Sequence, residues 1–347
     1  MKRSFFLLLL LFSAIVMSAQ QSATKDSIAG LVPRGNEVFR WGYSELTSDQ
    51  DKALYDTILG SLIRFDDNNF SPYYYHRCDL TGVPNTMDIQ QVIAWLSRLS
   101  NDIPELYILS STIPRYDTES YLYYARIGYV NSPSSYLSEL LRLQEVADTL
   151  MSDICPEMTD YERLLLIHDR FIEWGDYGDL TGADAGNIRG ALLNRRAVCE
   201  GFARAGLYLC QRAGIPCVFV SGQMLTSTVN ETWENHAWNF VQLDGQWYLM
   251  DLTSDGGFPN IVGHDAFVRG AAYFNQYYRF SAPDGTNPNL TAYHGLPVLA
   301  SDDYTPGQHD DLQELEQDIS IKKVLIDGHL YLRTSEGIFS LSGHRIY

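Results

Sequence analysis

The chain has 347 residues, a formal net charge of −18 at pH 7, 45% hydrophobic residues and five cysteines. A length of this order supplies two or three domains with cores of their own. An acidic balance of that size argues against nucleic acid and anionic surfaces as partners, while the 23 tyrosines suit ordinary packing as well as a wet aromatic surface.

Lys2 and Arg3 precede an apolar run over 5–16, and Met17, Ser18 and Ala19 follow before Gln20. A charged start, a short apolar run and a small residue at the cut predict a secretory signal peptide over 1–19. The run is too short for a comfortable membrane span. Its removal takes Lys2 and Arg3 away and moves the net charge from −18 to −20. No second long apolar run follows. The mature chain is therefore expected to be exported, to the periplasm, the cell surface or the medium, with no membrane span. No cysteine lies between the run and Cys78, so a lipoprotein-type acylation site is absent.

Residues 44–130 read as an N-terminal α/β domain. Thr47-Ser48-Asp49-Gln50 is expected to cap a helix with Leu54, Tyr55, Ile58, Leu62 and Phe65 on one face. A second helix is predicted over 88–99, with Ile89, Val92, Ile93 and Leu96 inward. Strands are expected over 106–110 and 121–129. Asp66-Asp67-Asn68-Asn69 lacks the ligand spacing of a calcium loop and reads as a solvated turn.

Residues 134–260 carry the chemistry. Two amphipathic helices lead in, over 136–151 and, capped by Asp160, over 161–174. His168 lies near the apolar stripe of the second and is expected to be a satisfied core histidine. A Gly- and Asp-rich loop over 175–190 then delivers the chain to Arg196-Ala197-Val198-Cys199-Glu200-Gly201. From Cys199 onward Phe202, Ala203, Ala205, Leu209 and Ala213 fit an amphipathic helix that Gly214 stops ahead of Ile215-Pro216. Cys199 thus sits at a helix start, where unpaired backbone N–H groups and the helix dipole favour a thiolate. The same N–H groups can receive the oxyanion formed when that thiolate attacks an amide.

The segment 222–235 is expected to be a polar loop joining two core strands, with Trp233 near its end and substrate selection as its role. Its Asn230-Glu231-Thr232 matches a glycosylation sequon, a pattern that chance supplies often. Beyond it, runs over 236–243 and 246–251 flank Asp244-Gly245, a two-residue hairpin signal. If Leu243 faces Gln246, Trp238 lies opposite Asp251. His236 and Asp251 are then diagonal neighbours on one face, within reach of a side-chain hydrogen bond. A one-residue slip would part them. A thiol, an imidazole and a carboxylate in this arrangement are a nucleophile, its base and an orienter.

The blocks Ala191-Leu192-Leu193-Asn194-Arg195-Arg196-Ala197-Val198-Cys199-Glu200-Gly201-Phe202-Ala203, Asn235-His236-Ala237-Trp238-Asn239 and Gln246-Trp247-Tyr248-Leu249-Met250-Asp251 resemble the core of the transglutaminase-like superfamily. The resemblance covers about residues 145–255. It implies an α+β, papain-like fold in which a helix bearing the cysteine packs on an antiparallel sheet bearing the histidine and aspartate. It also implies that Cys199 is the nucleophile, His236 the general base and acid, and Asp251 the residue holding the imidazole. The family uses this site for transglutamination, peptide hydrolysis and other amide chemistry. Trp233, Trp238 and Glu200 are candidate substrate contacts. No cofactor and no metal are expected; the calcium used by some animal members has no recognisable loop here.

Residues 261–320 are expected to be a loop-rich extension with an acidic linker over 310–318. Residues 321–347 alternate and carry Asp327-Gly328 and Ser335-Glu336-Gly337 turn signals, which predict a small C-terminal β-hairpin module. Five cysteines leave at least one thiol unpaired. Cys199 and Cys210 are eleven residues apart on one helix, about 16 Å, and cannot bridge. Cys78 with Cys155, or Cys210 with Cys217, remain possible pairs. The expected activity is an exported, cysteine-dependent amide or peptide hydrolase working through a thioester, on protein, peptide or cell-wall peptide substrates. The alternatives are protein-glutamine γ-glutamyl transfer at the same triad, and a non-catalytic cell-wall or glycan-binding module.

Overall fold

The structure is a computed structural model and describes residues 28, 30–33, 37–63, 75–79, 89–116, 122–129, 133–178, 184–256, 262–280, 295–307, 322–326, 329–334 and 337–340. The expected signal peptide, the turn at 66–69 and the acidic linker at 310–318 lie outside the described residues. The chain divides into two compact units, one of residues 1–145, 187–189 and 282–296, the other of 146–186, 190–281 and 297–347.

The first unit opens with α1 (Trp41–Ser44) and α2 (Asp49–Leu62). Ser48, one residue later than the sequence predicted, caps α2 by accepting from the Asp51 N–H at 3.0 Å. Ser is as good a cap as Thr, and the Asp51 carboxylate completes the exchange with the Ser48 hydroxyl. Leu54, Tyr55, Ile58, Leu59 and Leu62 are buried, as the apolar stripe requires. The strand β1 (Tyr75–Asp79) is followed by α3 (Ile89–Asp102), a 3₁₀ turn over Pro104–Ile108, β2 (Leu109–Tyr116) and β3 (Leu122–Tyr129). The three strands form an antiparallel sheet in the order β1-β3-β2. Buried Asp102, at the end of α3, accepts from the Gly42 N–H at 2.9 Å and the Tyr55 hydroxyl at 3.0 Å. That ties α1 and α2 to α3.

α4 (Pro133–Leu150) leads into the second unit, and α5 (Asp160–Trp174) follows. The cap of α5 is Thr159, where Asp160 was expected: its hydroxyl accepts from the Glu162 N–H, and the Glu162 carboxylate accepts from the Thr159 N–H. The reciprocal pair satisfies two orphan donors where Asp160 would satisfy one. A short parallel pair, β4 (Asp176–Tyr177) with β5 (Arg196–Ala197), closes the loop between them and sets the chain directly before α6 (Cys199–Ala213). Gly214 takes a positive φ of 75° and ends α6, with the Ile215 N–H returning to the Cys210 carbonyl.

The main sheet comprises β6 (Cys217–Ser227), β7 (Thr232–Leu243) and β8 (Gln246–Met250). After α7 (Leu252–Asp255) and α8 (Ala271–Tyr277), the two-residue β9 (Tyr278–Arg279) completes an antiparallel order β8-β7-β6-β9. Leu243 pairs with Gln246 and Asn239 with Met250, the register the hairpin arithmetic demands. Asp244 and Gly245 both have positive φ, at 49° and 77°, which a two-residue turn of type I′ needs. The segment 222–235 is not a loop: β6 runs to Ser227 and β7 starts at Thr232, leaving a turn of four residues. These strand ends are exposed or half-buried, so no apolar alternation marked them in sequence.

The buried core of this unit includes Phe171, Phe202, Leu209, Val220, Trp238, Phe240 and Leu249. Asn239, fully buried on β7, donates to the Ala203 carbonyl of α6 at 2.9 Å. The helix that starts at Cys199 is thereby fixed to the strand that carries His236. Residues 322–340 form a separate antiparallel meander of β10 (Lys322–Ile326), β11 (His329–Thr334) and β12 (Gly337–Ser340). No helix among the described residues is long and apolar enough to cross a membrane.

Candidate active site

Cys199 is the first residue of α6, half-buried, and its preceding residue Val198 offers no side-chain cap. The first-turn N–H groups therefore keep their capacity for an anion. On β7, His236 is buried, and the Cys199 sulfur lies near enough to favour the charged form of its ring. Its Nε2 lies 2.7 Å from Asp251 Oδ2. Asp251 occupies Nε2, which leaves Nδ1 as the nitrogen available to the thiol.

Asp251 is engaged on both oxygens. As N-cap of α7, its Oδ1 accepts from the Thr253 and Ser254 N–H groups at 3.0 and 3.2 Å. Its Oδ2 accepts from the Ser254 hydroxyl at 2.6 Å and the Tyr278 hydroxyl at 2.8 Å, besides His236. Burial alone would raise the Asp251 carboxyl, but His236, Ser254 and Tyr278 outweigh it and hold it below the usual carboxylate range. Burial likewise opposes a charge on His236, yet Asp251 and the Cys199 sulfur prevail and push it up to about 10. Tyr278 is driven upward by burial and by the Asp251 charge, so its hydroxyl stays a donor. The electrostatic result favours an imidazolium beside the sulfur and an ionised aspartate behind it.

The other predicted site residues fall in different places. Trp238 is 1% exposed and stacks beneath His236 with centroids 6.1 Å apart, packed against Tyr278 and Phe274. Its Nε1 has no hydrogen-bond partner among the described residues. It is the backing of the histidine, not a face open to substrate. Trp233 is half-buried near the start of β7, with the Arg279 guanidinium over its ring at 4.1 Å. Glu200 is exposed and forks onto Arg204 one turn later, at 2.9 and 3.0 Å. Cys155, Cys199, Cys210 and Cys217 all carry free thiols, with the buried Cys210 and Cys217 side by side. Sequence reasoning missed Ser254 and Tyr278. Ser254 was accessible through the Asp251-Leu252-Thr253-Ser254 capping pattern; Tyr278, 27 residues from Asp251 in sequence, had no local signal.

A thiol at a helix start with an imidazole and a buried carboxylate defines the class of papain-like thiol sites. Residues 148–252 match the family model of the transglutaminase-like superfamily, and this stretch spans Cys199, His236 and Asp251. The chain carries a transglutaminase-like core, in a mixed helix and antiparallel-sheet fold. A human protein, kyphoscoliosis peptidase, is 29% identical over 150 residues, a match covering 39% of this chain and 22% of that protein. Among solved structures, a candidate cysteine protease from Cytophaga hutchinsonii is 21% identical with a TM-score of 0.27, over 36% of this chain and 39% of that one. The periplasmic domain of TgpA from Pseudomonas aeruginosa is 18% identical with a TM-score of 0.26, over 42% of this chain and 61% of that one.

Proposed function

We propose that the protein is an exported, cysteine-dependent amide or peptide hydrolase. One observation carries the reading: the His236 ring is held by Asp251 at 2.7 Å, in the unit where Cys199 opens a helix whose first-turn N–H groups have no side-chain cap. In the proposed reaction the Cys199 thiolate attacks the amide carbonyl carbon, and the oxyanion is received at the Cys199 N–H. His236, as imidazolium, gives its proton to the departing nitrogen; the C–N bond breaks and a thioester remains. Neutral His236 then takes a proton from water, and the hydroxide displaces the thiolate to release the carboxylic acid. Asp251 holds the ring and supports its charge in both halves. Transamidation would replace water by a primary amine at the same step. Hydrolysis is favoured because, among the described residues, no side-chain arrangement specifies an amine-binding site, and water is always present outside the cell.

The test is brief iodoacetamide treatment of the folded protein at pH 6, read by peptide mass spectrometry, with wild type beside His236→Ala. The exposed Cys155 is the internal reference. Fast labelling at Cys199 that His236→Ala abolishes supports an activated thiolate. Equal, slow labelling at both cysteines in a folded wild type rules the reading out. Incubating the labelling-competent enzyme with a glutamine-containing peptide and a fluorescent primary amine then separates cleavage from amine incorporation.

A further inference from the structure

A second cluster in the same unit lies outside the thiol site. The ligand atoms of His168, Asp169 and His264 all fall within 4.8 Å of one another. His168 Nδ1 is 2.9 Å from Asp169 Oδ1, and His264 Nε2 is 2.7 Å from that same oxygen. The other nitrogen of His168, Nε2, faces Asp255 Oδ2 at 3.1 Å, with both side chains fully buried. Asp255 is itself anchored, its Oδ1 accepting from the Ala266 N–H at 2.8 Å.

We propose that His168, Asp169 and His264 form a divalent transition-metal site of the zinc type, with Asp255 as the outer carboxylate that orients His168. The orientation is the first argument. A metal-bound histidine usually donates its second N–H to a carboxylate, which fixes the tautomer and aims the free lone pair at the ion. Asp255 stands where it can do this for His168, in the tautomer that leaves Nδ1 as the aimed lone pair. In that tautomer Nδ1 and the Asp169 oxygen are both acceptors, 2.9 Å apart. A proton or a cation has to lie between them.

Charge counting favours the cation. With one proton on His168 and His264 neutral, one imidazolium is set against the Asp169 and Asp255 carboxylates, which leaves a net negative charge on a largely buried cluster. A divalent ion with neutral imidazoles brings the same cluster to zero, which costs less in a low-dielectric interior. Size also fits. Ligands at about 2.0–2.1 Å from a tetrahedral ion stand roughly 3.3 Å apart, so the 2.7 and 2.9 Å spacings need to open by a few tenths of an ångström, and the spacing between the two histidine nitrogens, within 4.8 Å, has to settle at the same value. Two imidazoles and one carboxylate select zinc over calcium or magnesium, which take oxygen ligands. Asp169 and His264 keep side-chain exposures of 15% and 23%, enough to admit an ion and a fourth, water ligand. Phe267 packs on both histidine rings, at 4.6 and 5.8 Å, and holds them in place. The occupied site would join α5, the segment 262–270 and the end of α7, where Asp255 lies four residues beyond Asp251.

The test is titration of chelator-stripped, full-length protein with Co²⁺, followed by visible absorption, with Zn²⁺ added as competitor. One Co²⁺ per chain with four-coordinate d–d bands, no sulfur-to-metal charge-transfer band, and displacement by Zn²⁺ is expected. Binding should vanish in His264→Ala, whose ring is partly exposed and whose loss leaves the fold intact by circular dichroism. It should weaken about 10–100-fold in Asp255→Asn and be unchanged in Cys199→Ala. A folded wild type that takes up no Co²⁺ overturns the proposal. So does binding that survives His264→Ala or disappears in Cys199→Ala.

Discussion

Tyr278 donates its phenolic proton to Asp251 Oδ2 at 2.8 Å, the same oxygen that holds His236 Nε2 at 2.7 Å. Tyr278 belongs to the two-residue strand β9 on the far edge of the sheet from β8, so two opposite edges meet at one carboxylate. In the proposed reaction it is a positioning residue, acting through Asp251. Tyr278→Phe keeps the ring that packs against Trp238 and Phe274 and deletes one donor to a charged acceptor, worth about 1.5 kcal/mol. The expected outcome is a fall in kcat/KM of about tenfold, accompanied by a fall in Tm of a few degrees. Loss of a donor also lets the Asp251 carboxyl rise, so the acid limb of the pH–rate profile should move to higher pH. An unmoved acid limb would assign Tyr278 to packing alone.

His236 gives stability a pH dependence of definite sign. Its folded-state pKa is raised to about 10 from about 6.5 in the unfolded chain. The folded protein therefore holds the proton more tightly. The stabilisation is complete below about pH 6.5 and is lost as pH rises toward 10. Urea unfolding of wild type and His236→Gln should accordingly differ most near pH 6, and the gap should close toward pH 10. A gap that stayed constant across that range would mean that His236 is neutral in the folded state.

Two helix glycines should answer alanine in opposite directions. At Gly206 on α6, a Cβ would stand 2.7 Å from Asn239 Oδ1 and 2.8 Å from Leu252 Cδ1. Overpacking costs about 1–3 kcal/mol and exceeds the ~1 kcal/mol that alanine gains over glycine in a helix. At Gly60 on α2 nothing lies within 4 Å, so only the helix gain remains. Chemical denaturation should show Gly206→Ala destabilised by about 1 kcal/mol and Gly60→Ala stabilised by up to about 1 kcal/mol. Gly206→Ala should lose activity too, since Asn239 holds α6 to β7.

The parts of the site that were legible in the sequence are those a local rule fixes. Asp244-Gly245 sets the turn, the turn sets the register, and the register makes His236 and Asp251 neighbours; each step needs only adjacent residues. Gly214 marked the end of α6 for the same reason. The polar segment 222–235 reads as a loop because its strand ends are mostly half-buried or exposed and display no apolar alternation. Thr159 caps in place of Asp160 because it alone has a reciprocal carboxylate, Glu162, three residues on, whereas Thr47 and Ser48 are neighbouring caps of similar propensity that sequence does not separate. Trp238 was assigned to substrate from its place beside His236, but strand pairing buries it beneath the ring. Tyr278 and the grouping of His168 with His264, 96 positions further along, depend on the assembled sheet and helices. No window of sequence contains them.

Asp251 closes the first turn of α7 with one oxygen and serves the imidazole with the other. An aspartate tethered in this way has no rotational freedom left to surrender when a substrate arrives. Its ordering entropy is settled during folding, together with that of the helix turn. The orienter is thus inherited from secondary structure, and whatever melts those four residues disarms the histidine at the same moment.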